Sequence, residues 1–199
     1  MQTASKSWKA SAHFLYEMGI LAKTPRSAFP FLGSGAQNVA EHMHRTAYVG
    51  LVLAQAEKNV DLAHVILLCL FHDIAESRSG DLNYVHQQYV QVDEEKIIHE
   101  MTQNLPCGEF IRDLLKEYQL RTSKAAIVAK DADNLEWIIT LKEQYDLGNR
   151  RALVMIKNAA QRLKTQSAQQ LFQALMQIPA DAWYATSKQD KWWISREVS

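Results

Sequence analysis

The sequence predicts an all-α protein, and three observations support this prediction. The 199-residue chain contains only 7 glycines and 4 prolines, too few for the turn that a many-stranded sandwich or barrel needs roughly every 8 to 12 residues. Apolar residues recur over long segments at the spacing of a helix face. Side chains that commonly cap helix N-termini precede several of these segments. We therefore expect helices over residues 7–21, 38–58, 62–76, 85–104, 109–119, 123–145, 150–164 and 167–176.

A loop rich in helix-breaking residues separates the first two predicted helices. The apolar face of the first helix consists of Trp8, Phe14, Leu15 and Met18. The loop that follows contains Pro25, Pro30, Gly33 and Gly35, residue types that interrupt helices. Asn38 is expected to cap the second helix, and Glu41 three residues later would complete a capping box.

The third predicted helix is expected to be central in the fold. From Leu62 to Phe71 the apolar residues leave no polar stripe, a pattern typical of a helix that is buried on all sides. Cys69 within this segment is interpreted as a small core residue. The segment runs directly into His72 and Asp73.

The second half of the chain continues the helical pattern. Thr122 or Ser123 is expected to cap a helix whose start, at residues 125–129, is again apolar on all sides. The later helices and an aromatic tail are expected to pack on a core formed by residues 14–145. The tail contains Trp183, Tyr184, Trp192 and Trp193. We therefore expect residues 1–199 to form one domain.

The composition argues against several classes of function. Lys and Arg total 22, as do Asp and Glu, so the formal net charge is zero and the basic excess typical of proteins that bind nucleic-acid polymers is missing. No apolar stretch reaches the roughly 18 to 20 residues of a membrane-spanning helix. Residues 1–9 lack the apolar segment of a signal peptide, and two cysteines do not make a disulfide scaffold. The prediction is a cytoplasmic protein that binds neither membranes nor nucleic-acid polymers.

Two apolar helical segments end in ionisable residues. The first leads into His72 and Asp73, and the second leads into Asp133. Burying a carboxylate is costly unless it is paired or binds a metal ion, and His42 near the start of the second helix adds a further nitrogen ligand. Histidine nitrogens and carboxylate oxygens together suit one divalent cation, such as Mn²⁺, Fe²⁺, Co²⁺, Zn²⁺ or Mg²⁺.

The order His, His–Asp, Asp resembles that of the HD-domain metal-dependent phosphohydrolases. The sequences around the ligands resemble the branch of that family that hydrolyses nucleoside 5′-monophosphates, the 5′-deoxynucleotidases. The matching segments are Asn-Val-Ala-Glu-His at 38–42, His-Asp-Ile-Ala-Glu at 72–76, Gly-Asp at 80–81 and Lys-Asp-Ala-Asp at 130–133. Arg26 stands where that branch carries a phosphate-contacting arginine.

The resemblance implies roles for seven residues. The metal ligands would be His42, His72, Asp73 and Asp133. Glu76 and Asp81 would be the acid–base and water-positioning carboxylates, and Arg26 would hold the phosphate through its planar guanidinium. On a helix that continued to residue 76, His72, Asp73 and Glu76 would share a face. The implied reaction releases inorganic phosphate from a nucleotide, and the family resemblance together with the aromatic tail favours a homodimer.

Some alternatives stay open from sequence. Ser77 stands where the HD hydrolases of alarmone nucleotides carry an acidic residue, which disfavours that activity. The loop after Arg26 has Phe29 but no tryptophan, which leaves the sugar preference undecided, and Arg78 could contact phosphate or face solvent. Another small phosphomonoester or a phosphodiester is an alternative substrate. A non-catalytic HD domain that binds a nucleotide for regulation is a further alternative.

Overall fold

The computed structural model describes residues 2–185, and every regular element in that part of the chain is helical. Its α-helices are α1 (Gln2–Met18), α2 (Phe29–Leu32), α3 (Val39–Ala56), α4 (Leu62–Phe71), α5 (Glu76–Ser79), α6 (Glu94–Thr102), α7 (Gly108–Leu120), α8 (Lys124–Asp146), α9 (Arg151–Ala160), α10 (Gln166–Gln177) and α11 (Ala182–Ala185). Two 3₁₀ turns span Leu21–Lys23 and His86–Gln88. The all-α prediction is confirmed.

Helix α8 lies at the centre of the fold, where it packs against α3, α4, α7, α9 and α10. Helices α3, α4 and α8 approach closely at Gly50. A Cβ atom at that position would lie 2.6 Å from the Cys69 Sγ atom and 3.8 Å from the Ala132 Cβ atom. The absence of a side chain at Gly50 therefore lets these three helices meet, and they carry the histidines and carboxylates singled out from the sequence.

A second, smaller apolar cluster supports the chain just after α4. It contains Leu21, Val39, Met43, Ile74, Ala75, Ile98, Met101, Ile111 and Leu115. From α1, Phe14 and Met18 pack against this cluster. Trp8 and Leu15 were expected on the same apolar face, but their side chains are 77% and 69% exposed. The apolar face that α1 buries is therefore narrower than the sequence predicts.

The helix predicted over residues 62–76 ends earlier than expected. The prediction that it is buried on all sides is also wrong in part. Helix α4 stops at Phe71 and His72 forms its C-cap. The chain then turns, and a new short helix begins at Glu76. Val65, Leu68 and Cys69 are fully buried, whereas Leu70 is 40% exposed. His72, Asp73 and Glu76 therefore do not share the face of one continuous helix.

The helix predicted over residues 85–104 is confined to Glu94–Thr102. Before it, the Asn83 side chain accepts hydrogen bonds from the backbone N–H groups of Val85 and His86, at 3.0 and 3.1 Å. Such local bonds offer the backbone an alternative to a helix. Asp93 caps α6 by accepting from the N–H of Lys96, so the acidic run at residues 93–95 marks a helix start.

Capping side chains fix the helices as expected. Asn38 and Glu41 form the predicted capping box at the start of α3, and Ser123 caps α8. Thr165 caps α10 in the same way. The buried Asp131 carboxylate reinforces this cap, because it accepts hydrogen bonds from the backbone N–H groups of Lys164 and Thr165. Asp131 therefore ties α10 to α8 and does not belong to the group of predicted metal ligands.

Helices α9 and α10 pack on α8, as expected for the C-terminal segment. The expectation that the aromatic tail docks on the core is wrong for Trp183 and Tyr184, which are 85% and 59% exposed. Trp192 and Trp193 lie outside the described residues. Among the helices of residues 2–185, none combines the length and the apolar character needed to cross a lipid bilayer.

Candidate metal centre and active site

Three helical elements bring the predicted ligands together. His42 comes from α3, His72 from the end of α4 and Asp133 from α8. One ligand atom from each of these residues lies within 4.8 Å of the others. The His42 Nε2 atom is 3.1 Å from the Asp133 Oδ1 atom, and the His72 Nε2 atom is 3.9 Å from the same oxygen.

Asp73 completes the group of four. Its Oδ2 atom lies 3.6 Å from His42 Nε2 and 3.1 Å from His72 Nε2. Burial alone would raise the pKa of Asp73, but the adjacent His72 and His42 side chains outweigh it and lower that pKa to about 2. The carboxylate is therefore ionised at neutral pH, the form in which it binds a cation.

In both histidines a hydrogen bond engages the Nδ1 atom, which leaves the Nε2 atom available to a cation. His72 Nδ1 lies 2.8 Å from the Cys69 carbonyl oxygen, to which it donates as the N–H tautomer. His42 Nδ1 is paired with the Glu136 carboxylate. Both Nε2 atoms are buried and have no hydrogen-bond partner. Two orphaned buried nitrogens facing two carboxylates fit a divalent cation, because such groups are otherwise costly to bury.

Glu136 is a residue of the site that the sequence analysis missed. Its side chain is fully buried, and besides His42 it contacts Gln37 Nε2 at 2.6 Å and Arg45 Nε at 2.9 Å. Burial would raise the pKa of Glu136, but its bond to His42 and the Arg45 charge lower it. A charged carboxylate here fixes the tautomer and orientation of a ligand histidine.

Replacing Glu136 with glutamine is expected to weaken cation binding roughly 10- to 100-fold, the usual cost of losing a group that orients a ligand. The amide would exchange one acceptor oxygen for an NH₂ group, which must then face the N–H groups of His42, Gln37 or Arg45. Chelator competition measures the cation affinity. The matched control is Glu143→Gln, which changes the second carboxylate that pairs with Arg45. Equal weakening in both variants would contradict the orienting role.

The second oxygen of Asp133 is held by two other side chains. Tyr118 donates its hydroxyl to Oδ2 at 3.0 Å, and Lys130 Nζ donates to the same atom at 2.7 Å. These bonds turn Oδ1 toward the histidines. Tyr118, from α7, is a further residue that local sequence patterns did not indicate.

Arg26 lies beside two carboxylates, those of Asp81 and of the candidate ligand Asp73. Arg26 Nη1 lies 3.5 Å from Asp81 Oδ1 and 3.6 Å from Asp73 Oδ2, and its Nε atom is buried without a partner. Asp81 Oδ2 accepts from the Ser27 backbone N–H at 2.6 Å and from the Ser27 hydroxyl at 3.2 Å. Asp81 thereby fixes the loop that presents Arg26 to the site.

Glu76 lies beside these groups with one oxygen uncommitted. Its Oε2 atom is buried and has no hydrogen-bond partner. Burial, together with the negative charges of Asp73 and Asp81, raises the pKa of Glu76 to about 9. A carboxyl group that keeps its proton near neutral pH can act as a proton donor.

These residues line a cavity of about 520 Å³, within the size range of small-molecule sites. Arg26, His72, Asp73, Glu76, Asp81 and Asp133 line it, while His42 lies buried behind them. The structure therefore brings all seven predicted residues to one place. Four candidate cation ligands beside one arginine and an uncommitted carboxyl group suit the hydrolysis of a phosphate ester.

Arg78 lies outside this cavity. Its guanidinium pairs with Glu17 of α1 and with Glu100 of α6, both at 3.0 Å. Arg78 therefore links two helices at the surface. Of the two alternatives that the sequence left open, the structure supports a solvent-facing Arg78.

Comparison with known proteins places the chain in a family. The family model for the HD domain matches residues 18–176. The 5′-deoxynucleotidase HDDC2 of Bos taurus is 30% identical over 143 residues, which cover 69% of each chain. A conserved hypothetical protein from Pyrococcus furiosus superposes with a TM-score of 0.73 at 22% identity, over 84% of this chain and 99% of that one.

A second solved structure is that of the cyanophage S-2L HD phosphohydrolase DatZ, bound to dA and one catalytic Zn²⁺ ion. It is similar over 82% of this chain and 96% of its own, with a TM-score of 0.54 and 18% identity. At such low identity the likeness to the solved structures concerns the fold. The family model covers most of the chain, and it shows that this protein belongs to the HD domain family.

Proposed function

We propose that this protein is a metal-dependent phosphohydrolase that removes the 5′-phosphate of (deoxy)nucleoside monophosphates. One observation carries the proposal: His42, His72 and Asp133 converge, with Asp73 within 3.6 Å of both histidines, beside Arg26 and the uncommitted Glu76 oxygen. The names of the relatives, 5′-deoxynucleotidases, support the choice of a nucleoside monophosphate as the substrate.

A divalent cation held by His42, His72, Asp73 and Asp133 would supply Lewis acidity, which acidifies water and polarises the phosphoryl oxygen. Other residues of the chain would bind the phosphate and transfer the proton. Arg26 is placed to bind the phosphate oxygens, because its partners Asp73 and Asp81 lie at 3.5–3.6 Å, beyond close hydrogen-bond distance. A bound phosphate can therefore take over the guanidinium donors.

Glu76 is assigned the proton transfer to the leaving group. In the reaction, water adds to phosphorus while the bond between phosphorus and O5′ breaks. The O5′ atom needs a proton as it leaves, and Glu76 carries the carboxyl group with a free oxygen beside the ligands. One proton of the attacking water stays on the phosphate, and the other restores the Glu76 carboxyl group. The products are then a nucleoside and inorganic phosphate. Asp81 is assigned a positioning role, because its Oδ2 atom accepts hydrogen bonds from Ser27 and thereby fixes the loop that carries Arg26.

A substrate panel tests the proposal. The protein is stripped with a chelator, reloaded with Mn²⁺, Co²⁺, Zn²⁺ or Mg²⁺ separately, and assayed for phosphate release from ribo- and deoxyribonucleoside monophosphates. We expect release that depends on a divalent cation and is lost again when the chelator is added. Failure of every cation to support release from any nucleoside monophosphate would overturn the proposed function.

The remaining predictions belong to this proposal. We propose a cytoplasmic homodimer in which residues 1–199 form one domain. The exposed Trp183 and Tyr184 rings stack edge-to-face at 4.9 Å and give an apolar surface that supports contact with a second copy.

A further inference from the structure

We infer that the base of the substrate binds in a groove beside the candidate cation site, a groove lined by the aromatic side chains of Trp137, Phe31 and Tyr84. This inference rests on the proposed function, which places the phosphate at Arg26. It adds the residues that distinguish a nucleotide from other phosphomonoesters, and these residues belong to neither the ligand set nor the motifs found in the sequence.

The groove is continuous with the cavity that holds the ligands. It has a volume of about 740 Å³. The residues that line both spaces are Arg26, Asp81, Leu82, Gln87, Trp137 and Arg162. Because Arg26 stands at the shared boundary, a phosphate bound there leaves the rest of the molecule directed either toward α6 or into the groove. The groove is the more apolar of the two spaces, because Phe31, Tyr84, Val154 and Met155 line it, whereas four carboxylates line only the cavity: Asp73, Glu76, Glu94 and Asp133.

Trp137 stands at the junction in a fixed orientation. It follows Asp133 by four residues on α8, so the two side chains lie on one helix face with Cβ atoms about 5–6 Å apart. The buried Phe29 ring contacts the indole edge-to-face, with centroids 5.7 Å apart and an interplanar angle of 80°. The indole N–H donates no hydrogen bond to any residue between 2 and 185. The Phe29 contact thus fixes the indole ring, and the indole N–H group remains available to a ligand.

Phe31 and Tyr84 also line the groove. Their rings are 6.0 Å apart, and they are 42% and 61% exposed. The loop that carries Tyr84 is tied to the Arg26 loop, because Asn83 Nδ2 donates to the Ser27 carbonyl at 3.1 Å. Aromatic side chains exposed together beside a ligand cavity are typical of a binding surface.

A nucleobase fits this groove better than an aliphatic group does. Its flat faces can stack on aromatic rings, a contact that tolerates any base because every base has such a face. Its polar edge can use the exposed Arg162 and the Asn158 amide at the end of the groove. Arg162 makes no ion pair in the described part of the chain, so its donors are available to base oxygens or nitrogens.

The test compares two substrates that differ only by the base. Initial rates on deoxyadenosine 5′-monophosphate and on 2-deoxyribose 5-phosphate give the ratio of their kcat/KM values. We expect Tyr84→Ala and Trp137→Leu each to lower that ratio roughly 10- to 100-fold, the worth of one stacked base. The control is Tyr89→Ala, which changes an 81% exposed tyrosine of the same loop that lines neither space, and it should leave the ratio unchanged.

The outcomes separate this inference from the proposed function. Phosphate release from both substrates at equal kcat/KM, or ratios unchanged in both variants, would overturn the groove while leaving phosphomonoester hydrolysis intact. Because Trp137→Leu changes a partly buried ring, the more exposed Tyr84→Ala decides the result if that variant does not fold. If no phosphomonoester is hydrolysed, calorimetry with free deoxyadenosine still tests the groove, and lack of binding would refute it.

Discussion

Replacing His72 with alanine is expected to remove both cation binding and phosphate release. His72 supplies one of the two buried Nε2 atoms that lack a hydrogen-bond partner, and its other nitrogen is fixed by the Cys69 carbonyl. The loss of activity should exceed roughly 100-fold, the upper end for residues that only orient a ligand. Cation content by mass spectrometry and initial rates on deoxyadenosine 5′-monophosphate measure the two effects.

Thermal unfolding gives an independent measure of the same site. A cation that binds only the folded state stabilises it, so the wild-type protein should unfold at a higher temperature with Mn²⁺ or Zn²⁺ than with chelator. His72→Ala should lose that difference. Asp73→Asn, which keeps the shape of the side chain, is the second variant if loss of the buried imidazole prevents folding.

The control for His72→Ala is His44→Ala. His44 lies two residues from His42 on α3, but its side chain is exposed and stacks on Tyr48 at 5.0 Å. This variant should retain the cation and full activity. Full cation content in His72→Ala, or equal losses in the two variants, would show that His72 is not a ligand.

The convergence of the four candidate ligands could be predicted from sequence because each of them lies in a short local motif. His42 follows a capping box, and His72, Asp73 and Asp133 follow apolar helical segments. What local motifs cannot supply is the contact between distant segments. In the sequence, Glu136 is indistinguishable from the other polar residues of its helix. In the structure it pairs with His42, which lies 94 residues away in the chain. Trp137 likewise becomes notable only when Phe29 and Arg26 are placed beside it.

The helix ends near the site were the least predictable part of the fold. Apolar periodicity continues past Phe71, but the chain leaves the helix at His72, which turns the ligands toward the cavity. In the segment before α6, the hydrogen bonds that the Asn83 and Asp93 side chains accept from backbone N–H groups determine the backbone conformation. Such bonds are visible in sequence only as residue types that also occur within helices.

Replacing Glu76 with glutamine is expected to lower kcat about 10²- to 10⁴-fold, the usual range for loss of general acid–base catalysis. Glutamine has nearly the same shape but no carboxyl proton to donate to O5′. Because Glu76 is not assigned as a ligand, the variant should keep the cation content of the wild-type protein, and KM should change little. Steady-state rates and mass spectrometry on the same preparation separate these effects.

The leaving group decides whether Glu76 donates a proton. The p-nitrophenolate ion leaves readily without protonation, so Glu76→Gln should lose much less activity on p-nitrophenyl phosphate than on a nucleotide, whose alkoxide must be protonated. Glu94→Gln is the matched control, since Glu94 lines the same cavity and makes no hydrogen bond or ion pair through its side chain within residues 2–185. Equal losses of Glu76→Gln on both substrates would assign Glu76 to the water or to the cation, because only a role in protonating O5′ makes its effect depend on the leaving group.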